Sequence, residues 1–210
     1  MFMRLRSTPW YKKAQTWWHR LKREQEIRDW DRKGRPAPPP PEVKRRALRA
    51  YAREFGLKVF VETGTFHGDT VEALKGLFDR VISIELGPEL FAKARERFSL
   101  EKHIEIIHGD SGEELGNVMG ELGQPALFYL DGHYSAGETA RGTKDTPIYE
   151  ELEHILKSSE KRHVIVIDDA RCFGSEPGYP SLQELKDFVY ARRSDVRICV
   201  EDDSVRIIPK

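Results

Sequence analysis

From Lys58 onward, short apolar runs alternate with stretches in which apolar residues recur every three or four positions. The runs predict strands at Val59–Glu62, Val81–Glu85, Ile104–Ile107, Ala126–Leu130 and Val164–Ile167. The stretches between them predict amphipathic helices near Thr70–Phe78, Pro88–Phe98, Gly112–Leu122, Pro147–Leu156 and Ser181–Arg192. Strands this short and this apolar have no polar face to show to water, so a parallel sheet covered by helices on both sides is expected. The end of the chain breaks the alternation. Val196–Val200 and Ser204–Ile208 are separated only by Glu201-Asp202-Asp203. A parallel crossover needs a dozen residues or more, so the seventh strand must return antiparallel beside the sixth. The expected class is α/β, with a doubly wound seven-stranded sheet that is mostly parallel.

Ahead of the sheet the pattern changes twice. Glu42–Phe55 reads as a helix, with Val43, Ala47, Leu48, Tyr51 and Phe55 on one side and Gly56 as its stop. Before it, Arg35-Pro36-Ala37-Pro38-Pro39-Pro40-Pro41 must be extended, because proline fixes φ and removes a donor. Three segments follow: a helical arm at 1–35, a proline-rich linker at 36–41 and a catalytic-size domain at 42–210. The net charge is zero, which hides an asymmetry, since the arm holds eleven Lys and Arg against four Asp and Glu. All four tryptophans also lie there, and Trp10, Ala14, Trp17 and Leu21 fall on one helical stripe. A basic, aromatic helix of this kind suits a contact within the chain or between copies, so a homo-oligomer is expected. Peripheral contact with an anionic membrane is a second role it allows. No nucleic-acid reading module accompanies the basic charge, so no nucleic-acid partner is expected.

Other bulk features narrow the setting. Two cysteines, Cys172 and Cys199, make no disulfide framework and favour a reducing compartment. No apolar run reaches the roughly 20 residues needed to cross a bilayer. The basic N-terminus lacks the apolar stretch of a signal peptide. A cytoplasmic location is expected, with the arm able to reach a membrane surface.

In an open α/β sheet, ligands bind beyond the carboxyl ends of the strands. The first strand runs into Glu62-Thr63-Gly64-Thr65-Phe66-His67-Gly68-Asp69-Thr70, the second ends at Glu85, and the third leads into Asp110-Ser111. Gly64 and Gly68 permit a sharp turn and close approach to a ligand. Glu85 is placed to accept ribose hydroxyls, and Asp110 and Ser111 to meet an adenine edge. Read blandly, the glycines are turn residues and the acids helix caps. A dinucleotide site wants G-x-G-x-x-G without nearby negative charge, whereas this loop carries Glu62 and Asp69. Those carboxylates would repel a pyrophosphate and attract a sulfonium and an ammonium.

These residues resemble the first three motifs of class I S-adenosylmethionine-dependent methyltransferases, and the terminal hairpin resembles that family's antiparallel seventh strand. The resemblance covers roughly 43–210, and Phe66 stands where the family often has a middle glycine. It implies a Rossmann-like fold and S-adenosylmethionine as cofactor. It also implies a donor site of Glu62, Thr63, Gly64, Thr65, Gly68, Thr70, Glu85, Asp110, Ser111 and Asp131.

The fourth and fifth strands end in Asp131-Gly132-His133-Tyr134-Ser135 and Asp168-Asp169. Adjacent strands would bring three carboxylates together, which is costly without a cation or a proton among them. Oxygen-only ligation by Asp131, Asp168 and Asp169 suits Mg2+. The arrangement resembles metal-dependent O-methyltransferases of the catechol and macrolide-sugar types. His133 offers a metal-free alternative, as a general base beside Asp131; purely structural roles are a third. The acceptor implied is a hydroxylated small molecule or sugar, with Arg141 and Lys144 in the following loop able to meet an anionic one. Two rivals remain: a non-catalytic nucleoside-binding or interaction protein on the same fold, and an NAD-dependent oxidoreductase.

Overall fold

The computed structural model describes residues 9–132 and 147–210. Among the described residues seven strands form one sheet: β1 (Val59–Thr63), β2 (Arg80–Glu85), β3 (Ile104–His108), β4 (Ala126–Leu130), β5 (Val164–Ile167), β6 (Val196–Glu201) and β7 (Ser204–Pro209). Their order across the sheet is β3-β2-β1-β4-β5-β7-β6. The first five are parallel, and β7 lies antiparallel between β5 and β6. The doubly wound α/β expectation and its antiparallel last strand are both met. Strand order reverses between β1 and β4, and this switch point is where such sheets open a crevice.

The helices are α1 (Pro9–Arg32), α2 (Pro41–Glu54), α3 (Asp69–Leu74), α4 (Pro88–Arg97), α5 (Ser111–Glu121), α6 (Ile148–Leu156) and α7 (Leu182–Tyr190). Element ends differ from the expected ones by a residue or two, except in one helix. The helix expected over Thr70–Phe78 stops at Leu74 and tightens into a 3-10 turn over Lys75–Leu77, beside Gly76. The one expected over Ser181–Arg192 is trimmed to Leu182–Tyr190, with Ser181 and Glu184 forming a capping box at its start.

Side chains alternate across the sheet and build two cores. Val61, Ile84, Phe128, Leu130 and Ile165 pack on α5, α6 and α7 through Leu115, Leu152 and Leu185. Phe60, Val81, Leu127 and Val166 pack on α2 and α3 through Leu48, Tyr51, Val71 and Leu74. On this second face each strand turns polar at its carboxyl end. Phe60 is followed by Glu62, Val81 by Ser83 and Glu85, Leu127 by Tyr129 and Asp131, and Val166 by Asp168. Alternation alone therefore gathers the acids under the amino-terminal half of α2.

The arm helix joins α2 through ion pairs of Glu24 with Arg46 and of Arg23 with Glu42. Trp30 is buried, and its indole N–H donates to the Pro36 carbonyl at 2.7 Å. Trp17, Trp18 and Leu21 are exposed. Among the described residues no helix is long and apolar enough to cross a membrane.

Candidate functional site

The loop from β1 to α3 is shaped by backbone that only glycine adopts freely. Gly64 has φ +81° and Gly68 φ +75°. A Cβ on Gly64 would lie 2.4 Å from the Asp131 carbonyl oxygen, so the loop and the end of β4 are in contact at the switch point. The Asp131 N–H donates to the Thr63 carbonyl at 3.1 Å, and the Gly64 N–H to Ile84 at 2.9 Å. Phe66 takes φ +49° where a glycine would sit without strain. Gly68 caps α3, and Thr70 is half-buried in that helix's first turn.

Glu62 and Glu85 end neighbouring strands, yet they have different surroundings. Glu85 accepts the Phe66 N–H at 2.7 Å through Oε2 and the Gly87 N–H at 2.8 Å through Oε1. It pins the glycine loop to the end of β2. A carboxylate has about four acceptor positions, so two remain for a ligand's hydroxyls. Both are buried, Glu62 2% and Glu85 5% exposed, but Glu62 is held by side chains. Its Oε2 accepts from the Ser83 hydroxyl at 2.7 Å, and that hydroxyl lies 2.7 Å from Thr65 Oγ1. Burial pushes the Glu62 carboxyl up to about 8, against the opposing effects of Ser83 and the Arg45 charge. Its neutral form prevails below that pH. The charge argument made for Glu62 therefore passes to Glu85, and Asp69 is already paired with Arg97 at 2.8 Å.

This burial has a measurable consequence. The folded protein keeps the Glu62 proton to about pH 8, whereas an unfolded chain releases it near about 4.3. Folding takes up a proton in that window, so stability falls as pH rises through it. Glu62→Gln is expected to flatten this slope, gaining on the wild type between pH 5 and 8. Parallel melting curves for the two proteins across that range would contradict the buried, neutral carboxyl.

Asp110 is the N-cap of α5, its Oδ1 accepting from the Gly112 N–H at 2.9 Å. The capping role is thus real and takes one of its two oxygens. Ser111 is buried and donates to Glu151 Oε1 at 2.6 Å. Gly132 sits where a Cβ would be 3.0 Å from Thr63 Oγ1 and 3.2 Å from both Ser111 Oγ and Glu151 Oε1. Thr63 Oγ1 is buried without a hydrogen-bond partner among the described residues, so this polar nook has a hydroxyl left to satisfy. Donor-site residues from β1, β2, β3 and β4 thus converge at one edge. Their chemistry fits a nucleoside-bearing ligand such as S-adenosylmethionine.

The chain now has the arrangement of a known architecture. Comparison with solved structures finds an O-methyltransferase from Bacillus cereus in complex with S-adenosylhomocysteine, 18% identical, with TM-score 0.61 over 89% of this chain and 90% of that one. The O-methyltransferase of tomaymycin synthesis from Streptomyces achromogenes, in complex with S-adenosylmethionine, is 19% identical, with TM-score 0.58 over 89% of each chain. A Podospora anserina methyltransferase bound to S-adenosylhomocysteine is 18% identical, with TM-score 0.57 over 80% of this chain and 78% of that one. The fold is that of the class I methyltransferases. No family model matches the sequence, and no curated protein matches it either. The class I fold thus rests on architecture together with the strand-end residues.

Along the same carboxyl edge of the sheet, Asp131, Asp168 and Asp169 do come together. Tyr129, on the α2 face of β4, donates its hydroxyl to Asp168 Oδ2 at 2.6 Å and reaches Asp131 Oδ2 at 3.4 Å. Burial, and then the Asp131 and Asp168 charges, hold the Tyr129 phenol well above its usual range, so it stays a donor. Lys44 of α2 makes ion pairs with Asp168 Oδ1 and, at 3.3 Å, with Asp169 Oδ1. Arg171 pairs with the same Asp169 oxygen at 2.7 Å and with Asp203. Among the described residues no group of three or more side chains is arranged to hold a metal.

Mg2+ does not fit this cluster as built. Both Asp168 oxygens and Asp169 Oδ1 are committed to Lys44, Tyr129 and Arg171, so two of the three expected ligands already hold a cation or a hydrogen-bond donor. His133, the expected base, lies outside the described residues, as do Arg141 and Lys144. Sequence reading missed Lys44, Tyr129, Ser83 and Glu151. Lys44 carried a signal: it stands four residues before Leu48 and seven before Tyr51, in line with the buried stripe of its helix.

Proposed function

We propose that the protein is an S-adenosylmethionine-dependent O-methyltransferase acting on a hydroxylated small molecule or sugar. The observation that carries this reading is Glu85, a carboxylate held by two backbone N–H groups at the end of β2, beside the glycine loop and the switch point. It is a fixed acceptor pair at the place where such a sheet binds a nucleoside. The O-methyltransferase neighbours support the acceptor class.

When bound, the cofactor supplies a methyl group on a sulfonium, open to in-line attack by an acceptor oxygen. The chain's own residues supply the rest. Gly64 and Gly68 let the loop approach the donor, and Asp110 and Ser111 bound its base. Asp131 borders both donor and acceptor ends. His133, two residues on, takes the proton from the acceptor hydroxyl, a role typically contributing ~10²–10⁴-fold.

Labelled methyl transfer tests the proposal. The full chain, incubated with methyl-labelled S-adenosylmethionine and a panel of catechols, phenolic acids and sugars, is expected to place label on at least one acceptor oxygen. His133→Ala is expected to lower that rate by ~10² or more while leaving donor binding intact. Tight donor binding with no label on any acceptor would point instead to a binding protein.

A further inference from the structure

We propose that Lys44 is a built-in cation at the reacting end of this site, and that its ammonium fills the place the acid cluster would otherwise offer to a divalent ion. Three carboxylates at the ends of two adjacent strands need a positive partner. Lys44 meets two of them directly and is only 13% exposed. It arrives from α2, remote in sequence from β5, so its position is set by the docking of that helix on the sheet. Leu48 and Tyr51, one and two turns later on the same side, are buried in the core that also holds Val164 and Val166. The helix is thereby fixed over the acids.

The remaining oxygens are spoken for in a way that suits an ammonium better than a metal. Tyr129 donates to the other Asp168 oxygen, Oδ2, and competes with any ion for it. Arg171 shares Asp169 Oδ1 and is tied in turn to Asp203. Lys44 acts through the carboxylates rather than on a substrate atom, and is a positioning residue. The arrangement holds a cation among these acids that no chelator removes.

The charge device rests on the methyltransferase reading only for its consequence in the reaction, since the exchange of a cation at these acids is measurable by itself. Mn2+ titration of the full chain, followed by electron paramagnetic resonance, compares the wild type with Lys44→Met and Lys44→Arg. The wild type and Lys44→Arg are expected to bind Mn2+ weakly. Lys44→Met removes the cation paired with the buried Asp168 carboxylate and is expected to bind Mn2+ at least tenfold tighter than the wild type. A merely structural lysine would produce no such gain. Submillimolar Mn2+ binding by the wild type, or no gain in a folded Lys44→Met, would overturn the proposal. Should Lys44→Met lose its cooperative melt, the wild type is compared with Asp169→Asn. Weak, equal Mn2+ binding supports the built-in cation, and tighter binding by the wild type overturns it. Titrating the same samples with S-adenosylmethionine separates the two readings: donor binding without the Mn2+ gain leaves the methyltransferase and removes the device, and the converse does the opposite.

Discussion

Replacing Glu85 by glutamine is expected to weaken S-adenosylmethionine binding by ~10²-fold or more, the largest single loss at the donor site. Two hydrogen bonds from ribose hydroxyls to a carboxylate are at stake, each worth ~1.5–3 kcal/mol, and each 1.4 kcal/mol is about tenfold in affinity. Glutamine keeps the length but has one acceptor oxygen and an NH₂. The NH₂ must then face the N–H of Phe66 or Gly87, which now lie 2.7 and 2.8 Å from the carboxylate. Some stability is lost with it, because a buried N–H left unpaired costs ~1–3 kcal/mol. Calorimetric titration and a thermal melt on the same preparation separate the two effects. A folded variant that binds the donor as the wild type does would remove Glu85 from the site.

Gly64→Ala is expected to be nearly as damaging, by a steric route. The new methyl would lie 2.4 Å from the Asp131 carbonyl oxygen and 2.9 Å from its carbon. Backbone cannot swing aside as a side chain can, so the β1 loop and the end of β4 must separate. The left-handed conformation at φ +81° adds its own strain of ~1–2 kcal/mol. Donor affinity falls with the geometry, because the two strand ends that part are the walls of the crevice. Gly56→Ala is the control. Gly56 has φ +61°, but a Cβ there meets nothing within 4 Å, so it is expected to lose stability alone. Equal donor binding by Gly64→Ala and the wild type would mean that the crevice lies elsewhere.

The contrast between Glu62 and Glu85 shows how far a sequence can be read. Both acids end an apolar run, and both were expected to meet the donor. Periodicity places each on its strand, and the two-residue alternation even puts them on one face. What separates them is the neighbour: Ser83 sits opposite Glu62 in register and donates its hydroxyl to it, while backbone N–H groups of Phe66 and Gly87 hold Glu85. Register between strands is set by the packing of the whole sheet, and local pattern does not report it. The same holds for the acids of β4 and β5. Their meeting was legible from strand adjacency, but the cation among them comes from α2, whose docking on the sheet is a long-range event. The fold itself was more legible. Strand type, helix alternation and the short link before β7 are local facts with few topological solutions.

Titration of the purified full chain with S-adenosylmethionine, and separately with NAD⁺, each with and without Mg2+, tests the central claim most directly. The account predicts about micromolar binding of the methyl donor, no comparable binding of NAD⁺, and affinity indifferent to the metal, since Lys44 already stands among the acids. Absence of donor binding under every condition, in a protein that melts cooperatively, would contradict it.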